Sequence, residues 1–79
     1  MSPTIFYYRK YRFFFFSREE PRMHVHIYAP GGEAKFWLEP KIELAVSKGL
    51  KEKDLKIIKE KIEEYEHEIR KRWHKHFPR

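Results

Sequence analysis

The stretch from His24 to Pro40, HVHIYAPGGEAKFWLEP, constrains this chain more than any other part of it. Two runs of alternating apolar side chains flank Pro30-Gly31-Gly32. A proline followed by glycines supplies a fixed φ and then residues free to take φ > 0, so the stretch reads as a β-hairpin. If the tight loop is centred on Pro30-Gly31, paired residue numbers sum to 61, which sets His24 opposite Trp37, His26 opposite Lys35 and Tyr28 opposite Glu33. Successive strand side chains alternate between faces. One face of the hairpin is therefore hydrocarbon, from Val25 and Ile27 across to Ala34, Phe36 and Leu38. The other gathers two imidazoles, an ammonium, a phenol and an indole.

The remaining elements follow from changes in periodicity. Thr4 to Tyr8 and Tyr11 to Phe16 are β-branched and aromatic runs, and read as two strands joined at Arg9-Lys10. Ser17 to Arg22 is a polar connection. After Pro40, Lys41 to Ser47 sets Ile42, Leu44 and Val46 against Glu43, Ala45 and Ser47, the pattern of a short edge strand or an irregular extended segment. From about Glu52 to Phe77 the period becomes helical. Leu55, Ile58, Ile62, Tyr65, Ile69, Trp73 and Phe77 form one apolar stripe, with Lys59–Glu63, Glu66–Arg70 and Glu68–Arg72 as i,i+4 pairs on other faces. The expected fold class is α+β. An antiparallel sheet of four to five strands, made of two hairpins plus a candidate edge strand, packs on one long C-terminal helix. Such a helix is roughly 39 Å long against about 20 Å for a strand, so it should overhang the sheet or meet something else. One helix covers only one sheet face, yet Phe13, Phe14, Phe15 and Phe16 alternate across both. Either a second chain covers the other face, or curling of a short twisted sheet buries both faces locally.

Composition narrows the functional classes. Seventy-nine residues leave room for a single domain with one core. The chain has no cysteine, which excludes disulfides and thiolate zinc sites. The early apolar run is broken by Arg9, Lys10 and Arg12 and has no signal-peptide pattern, and no run is long enough to span a bilayer, so a cytoplasmic protein is expected. Net charge is +6, unevenly placed, with residues 70–79 carrying five basic side chains and no acidic one. A basic start and end suit a polyanion, and a basic helix end also complements the helix's own dipole. The abundance of Lys and Glu over Gln and Asn hints at a thermophilic source.

Several blocks carry a resemblance. Pro3-Thr4-Ile5-Phe6, Tyr11-Arg12-Phe13-Phe14-Phe15, Pro21-Arg22-Met23-His24-Val25-His26 and Glu33-Ala34-Lys35-Phe36-Trp37-Leu38 precede Leu55, Ile58 and Trp73 at matching spacing. Together these residues resemble the DUF4160 family of small prokaryotic proteins, over almost the whole chain. The specific part is His-Val-His followed by Glu-Ala-Lys-Phe-Trp-Leu. Members of that family are commonly encoded beside DUF2442 proteins. The resemblance implies the toxin component of a type II toxin–antitoxin system, with a DUF2442-type antitoxin as partner. Two positions depart from the family pattern. Lys10 stands where many relatives have Gly, and Lys51 stands where a Ser N-cap is usual, which weakens the expected helix start.

Three chemistries compete for the polar hairpin face. In the first, His24, His26 and Lys35 are catalytic in metal-independent cleavage of RNA, with two imidazoles as acid and base and an ammonium for developing phosphate charge. Arg12, Arg18 and Arg22 then hold the backbone, and Tyr28 and Trp37 stack bases. In the second, His24 and His26 bind a metal with a third ligand from Glu19, Glu20 or Glu39, although none has diagnostic spacing. In the third, both histidines serve the fold or a partner interface. No cofactor is expected. His67, His74 and His76 are expected to be solvated on the helix. The functional reading is a toxin acting on RNA. The alternative is a non-enzymatic protein-binding module, regulatory or neutralising, and a homodimer or hetero-complex is expected in either case.

Overall fold

Each strand of this protein pairs antiparallel with its neighbour in sequence, the first two and the central two joined by two-residue turns and the others by connections of nine and five residues. The computed structural model describes residues 4–16 and 21–77, and residues 17–20, including Arg18, Glu19 and Glu20, lie outside them. The order along the chain is β1 (Thr4–Tyr8), β2 (Tyr11–Phe14), β3 (His24–Ala29), β4 (Gly32–Trp37), β5 (Glu43–Lys48), α1 (Glu52–Glu64) and α2 (Glu66–His76). The strands form one antiparallel sheet in the order β1-β2-β3-β4-β5. The architecture is therefore α+β, with the extended segment after Pro40 incorporated as the fifth strand.

The central hairpin has the register read from its sequence. His24 pairs with Trp37, His26 with Lys35 and Tyr28 with Glu33, closed by Ala29 opposite Gly32. Pro30 and Gly31 form the two-residue turn, and Gly31 takes φ 97°, the second central position of a Pro-Gly turn. The tip is locked to the end of β5. A Cβ on Gly32 would lie 2.3 Å from the Lys48 carbonyl oxygen, and one on Gly49 (φ 80°) would lie 2.1 Å from that of Gly31. In the first hairpin the left-handed position falls on Arg9, at φ 52°, and not on Lys10.

Two irregularities correct the simple alternation. Register slips in β1 between Thr4 and Phe6, so Ile5 joins the buried core although Phe6 and Tyr8 also pack against it. Register slips again in β5, where Lys35 pairs with Val46 but Phe36 pairs with Leu44. Ala45 is the extra residue of this bulge. Val46 therefore sits on the same face as Lys35, opposite to the face its spacing from Leu44 predicts.

The expected single helix is two. α1 ends at Glu64 and α2 begins at Glu66, with Tyr65 between them at φ −108°, ψ 20°. Hydrogen bonding continues across the bend, from Tyr65 N to the Lys61 carbonyl and from Ile69 N to that of Tyr65, both at 3.0 Å. The apolar stripe continues on both sides of this break, through Ile58 and Ile62 in α1 and Ile69 and Trp73 in α2. Ile58, Ile62, Ile69 and Trp73 are buried against Phe13, Val25, Ile27, Phe36 and Leu38. Tyr65, a member of the expected stripe, is exposed at the bend with its ring 5.1 Å from Phe6. The start of α1 is held without a Ser cap. Asp54, its third residue, accepts from the Lys51 amide at 3.2 Å and from the buried Tyr11 hydroxyl. Farther along, Arg70 of α2 donates to Glu66 (2.8 Å) and to the Leu38 carbonyl (2.5 Å), tying α2 to the end of the central hairpin.

Candidate functional site

The helices pack on one face of the sheet and the polar hairpin residues lie on the opposite face, where Trp73 of α2 reaches round to His24 at one end. β2 contributes Arg12 and Phe14, β3 contributes His24, His26 and Tyr28, and β4 contributes Lys35 and Trp37. The cross-strand ladder runs Arg12–Tyr28, Phe14–His26 and His26–Lys35. Alternation within each strand places these side chains together, and antiparallel register lines them up.

The cations lie over rings. The Arg12 guanidinium is 4.4 Å from the Phe14 centroid, that of Arg22 is 4.0 Å from Trp37, and the Lys35 ammonium is 4.4 Å from the same indole. Arg12 also donates to the Thr4 hydroxyl at 2.8 Å, and Arg22 to the Glu39 carbonyl at 2.9 Å. These contacts hold flexible cationic side chains in a band along the face, where cation–π attraction adds to the ordering. Phe14 is thereby buried within the chain itself, under Arg12, Phe16 and His26, so local covering accounts for this ring. Tyr28 is 56% exposed, at the far end of the ladder.

The two hairpin histidines have different surroundings. His24 is fully buried (0% exposed). Its Nδ1–H donates to the Arg22 carbonyl at 2.6 Å, which fixes the ring orientation. Trp37 at 5.6 Å, Trp73 at 5.2 Å and His26 at 5.0 Å surround it edge-on. His26 is half-buried, stacked on Phe14 at 5.5 Å and edge-on to Phe16 at 4.3 Å. Beside it opens a groove of about 240 Å³ lined by Phe16, Lys35, Glu33, Val46 and Lys48. His26 and Lys35 are thus brought together at a solvent-facing groove, with His24 behind them.

The involvement of Phe16 is visible from alternation alone. Trp73 is not, because nothing in the spacing says that α2 reaches the start of β3. Glu39, a candidate third metal ligand, accepts from the Met23 amide at 3.2 Å. Among the described residues no group of three or more His, Asp or Glu side chains is placed to hold a metal ion. No helix of the described residues is long and apolar enough to cross a membrane. All three helix histidines, His67, His74 and His76, are exposed as expected, and the His76 ring also lies against Phe15 and Phe77.

A family model described as a domain of unknown function, DUF4160, matches residues 11–74. The chain belongs to the DUF4160 family. The matched span of this DUF4160 protein runs from β2 through the hairpin and into the last turn of α2, so it takes in all seven residues of the cationic-aromatic face. No curated protein and no solved structure matches the chain.

Proposed function

We propose that the open sheet face binds single-stranded RNA, and that the protein acts as the toxin component of a type II toxin–antitoxin pair. One observation carries the reading: Arg12, Arg22 and Lys35 are each laid over an aromatic ring on the sheet face opposite the packed helices. Phosphates are met by preordered cations, and bases stack on exposed rings, here Tyr28 and Phe16. In this reading His26 is the imidazole within reach of a bound strand, Lys35 supplies charge to the phosphate, and His24 positions His26 from behind. A DUF2442-type antitoxin would neutralise the activity, and the cytoplasm is the compartment where both would meet RNA.

The test has two arms. Fluorescence anisotropy with a short single-stranded RNA should show binding that weakens steeply with salt, since cations displace counterions from phosphates. Inducible expression should slow growth, and co-expression with a DUF2442-type protein should restore it. Absence of RNA binding at low salt would remove the RNA reading, and unimpaired growth would remove the toxin reading. The second reading, a protein-binding module, is favoured by the apolar exposure of Phe16, Tyr28 and Val46 on this same face. A stable complex with the DUF2442-type protein without any RNA binding is its expected signature.

A further inference from the structure

The two edges of the sheet are built differently. β1 is bulged at Ile5, and the carbonyl of that residue accepts from the Arg72 guanidinium at 3.3 Å, so this edge is partly blocked. Bulges and covering side chains are common means of blunting an edge. On β5, by contrast, no side chain bonds to the strand backbone among the described residues. Leu44 is 40% and Val46 57% exposed along that edge. Grooves flank it on both sides, one of about 480 Å³ floored by Ile42, Leu44 and Leu55, the other the 240 Å³ groove beside Val46.

The bulge in β5 decides what can pair with it. When a strand pairs antiparallel with its own copy about a two-fold axis, paired numbers have a constant sum and paired side chains share a face. In a regular strand that sum must be even, because residues on one face are an even number apart. Glu43 and Lys48 would then lie on opposite faces and never meet. Here the extra residue Ala45 changes the parity. Glu43 stands opposite Trp37, Val46 opposite Lys35 and Lys48 opposite Glu33, all on the open face, while Leu44 stands opposite Phe36 and Ser47 opposite Ala34, on the helix face. A sum of 91 now keeps faces matched: Glu43 meets Lys48 of the second copy, and Leu44 meets its Ser47. Ala45 then faces Val46 across the axis, a small residue beside a branched one.

We infer that β5 pairs with β5 of a second copy of this chain in that register. Two Glu43–Lys48 ion pairs close the ends of the interface, and Leu44 and Val46 lose their exposure at its centre. The axis is perpendicular to the sheet, so the open faces of both copies lie side by side. One strand pair is a small interface, at the low end of the specific range, so the dimer is reversible.

Sedimentation over a wide concentration range should show monomer giving way to dimer. Amide exchange at residues 43–48 should slow as concentration rises. Glu43→Lys sets Lys against Lys48 at both ends, and Lys48→Glu sets Glu against Glu43, so each alone should weaken dimerisation about tenfold or more. The double variant Glu43→Lys, Lys48→Glu restores both pairs and should restore the dimer, with all three variants keeping the wild-type circular dichroism spectrum. A chain that is monomeric throughout, with unprotected β5 amides, would overturn the inference. So would a dimer that neither single variant weakens, or one that the double variant fails to restore. RNA binding is not part of the readout, so failure here leaves the proposed function standing, and the converse also holds.

Discussion

Asp54 shows how much one side chain can join. It accepts from the Tyr11 hydroxyl and from the Lys51 amide, and the Lys10 ammonium lies 3.6 Å away. The first hairpin and the start of α1 are thereby tied at one carboxylate. Burial, and then the hydrogen bond to Asp54, push the Tyr11 hydroxyl up to about 12. The hydrogen bond from Tyr11, followed by that from the Lys51 amide, holds the Asp54 carboxyl below its usual range. A depressed carboxyl contributes stability that is present above its unfolded pKa of about 3.9 and is lost as pH falls through the folded value. A raised phenol contributes stability that is present below its unfolded pKa of about 10 and is lost as pH rises through the folded value. Stability should therefore be greatest between these limits, with an acid and an alkaline limb. Tyr11→Phe should lower the melting temperature at neutral pH and flatten both limbs in urea titrations. An unchanged pH profile would show that the pair contributes nothing. Glycines offer a second check at this scale. Gly49→Ala places a Cβ on the Gly31 carbonyl oxygen as well as at positive φ, whereas Gly31→Ala meets nothing within 4 Å. Urea unfolding should show a cost of about 1–2 kcal/mol for Gly31→Ala and clearly more for Gly49→Ala.

Among the elements, the helix stripe is the one whose packing is most directly testable. Ile62 and Ile69 lie on either side of the Tyr65 bend and are both fully buried. Each changed to Ala should cost about 2–5 kcal/mol, a large share of a small domain's stability. The exposed change Glu60→Ala should cost less than about 0.5 kcal/mol. Comparable small losses at all three positions, measured by chemical denaturation, would show that one half of the helix does not pack. Helical periodicity made the stripe legible, since it depends only on which residues are apolar. The bend was not legible, because Tyr65 and its neighbours are ordinary helix residues with no Pro or Gly among them. The ion pairs divide in the same way. Glu66–Arg70 and Glu68–Arg72 form as spacing suggests, whereas Lys61 pairs with Glu64 instead of Lys59 with Glu63.

Taken as one molecule, the protein separates a packed face from a cationic face across a single sheet. If RNA lies on the open face, Arg12→Ala and Arg22→Ala should each reduce the slope of log affinity against log salt by about one, if each contacts one phosphate. Tyr28→Ala should weaken binding by about 1–3 kcal/mol through lost stacking while leaving that slope unchanged. Anisotropy titrations at several salt concentrations distinguish the two effects. Neutral changes at all three positions would move the contact to another surface, the basic end of α2 being the next in line.

What the sequence determined by itself was local: the hairpin, its turn and its register. A Pro-Gly pair closing a two-residue loop leaves one register, and period-two alternation then assigns every side chain of β3 and β4 to a face. That reasoning placed His26 opposite Lys35 and His24 opposite Trp37, as the structure has them. Tertiary structure decided whatever depends on residues far apart in the chain. His24 is sealed from solvent because Trp73, forty-nine positions later, packs against it. Tyr11 and Asp54 meet because the start of α1 packs beside the tip of the first hairpin. The β5 bulge shows only in how the strand pairs with β4, and the pattern of Lys41 to Ser47 does not contain it. Local rules follow from backbone sterics and alternation. Contacts at long range follow from how a helix and a sheet of unequal length share one core.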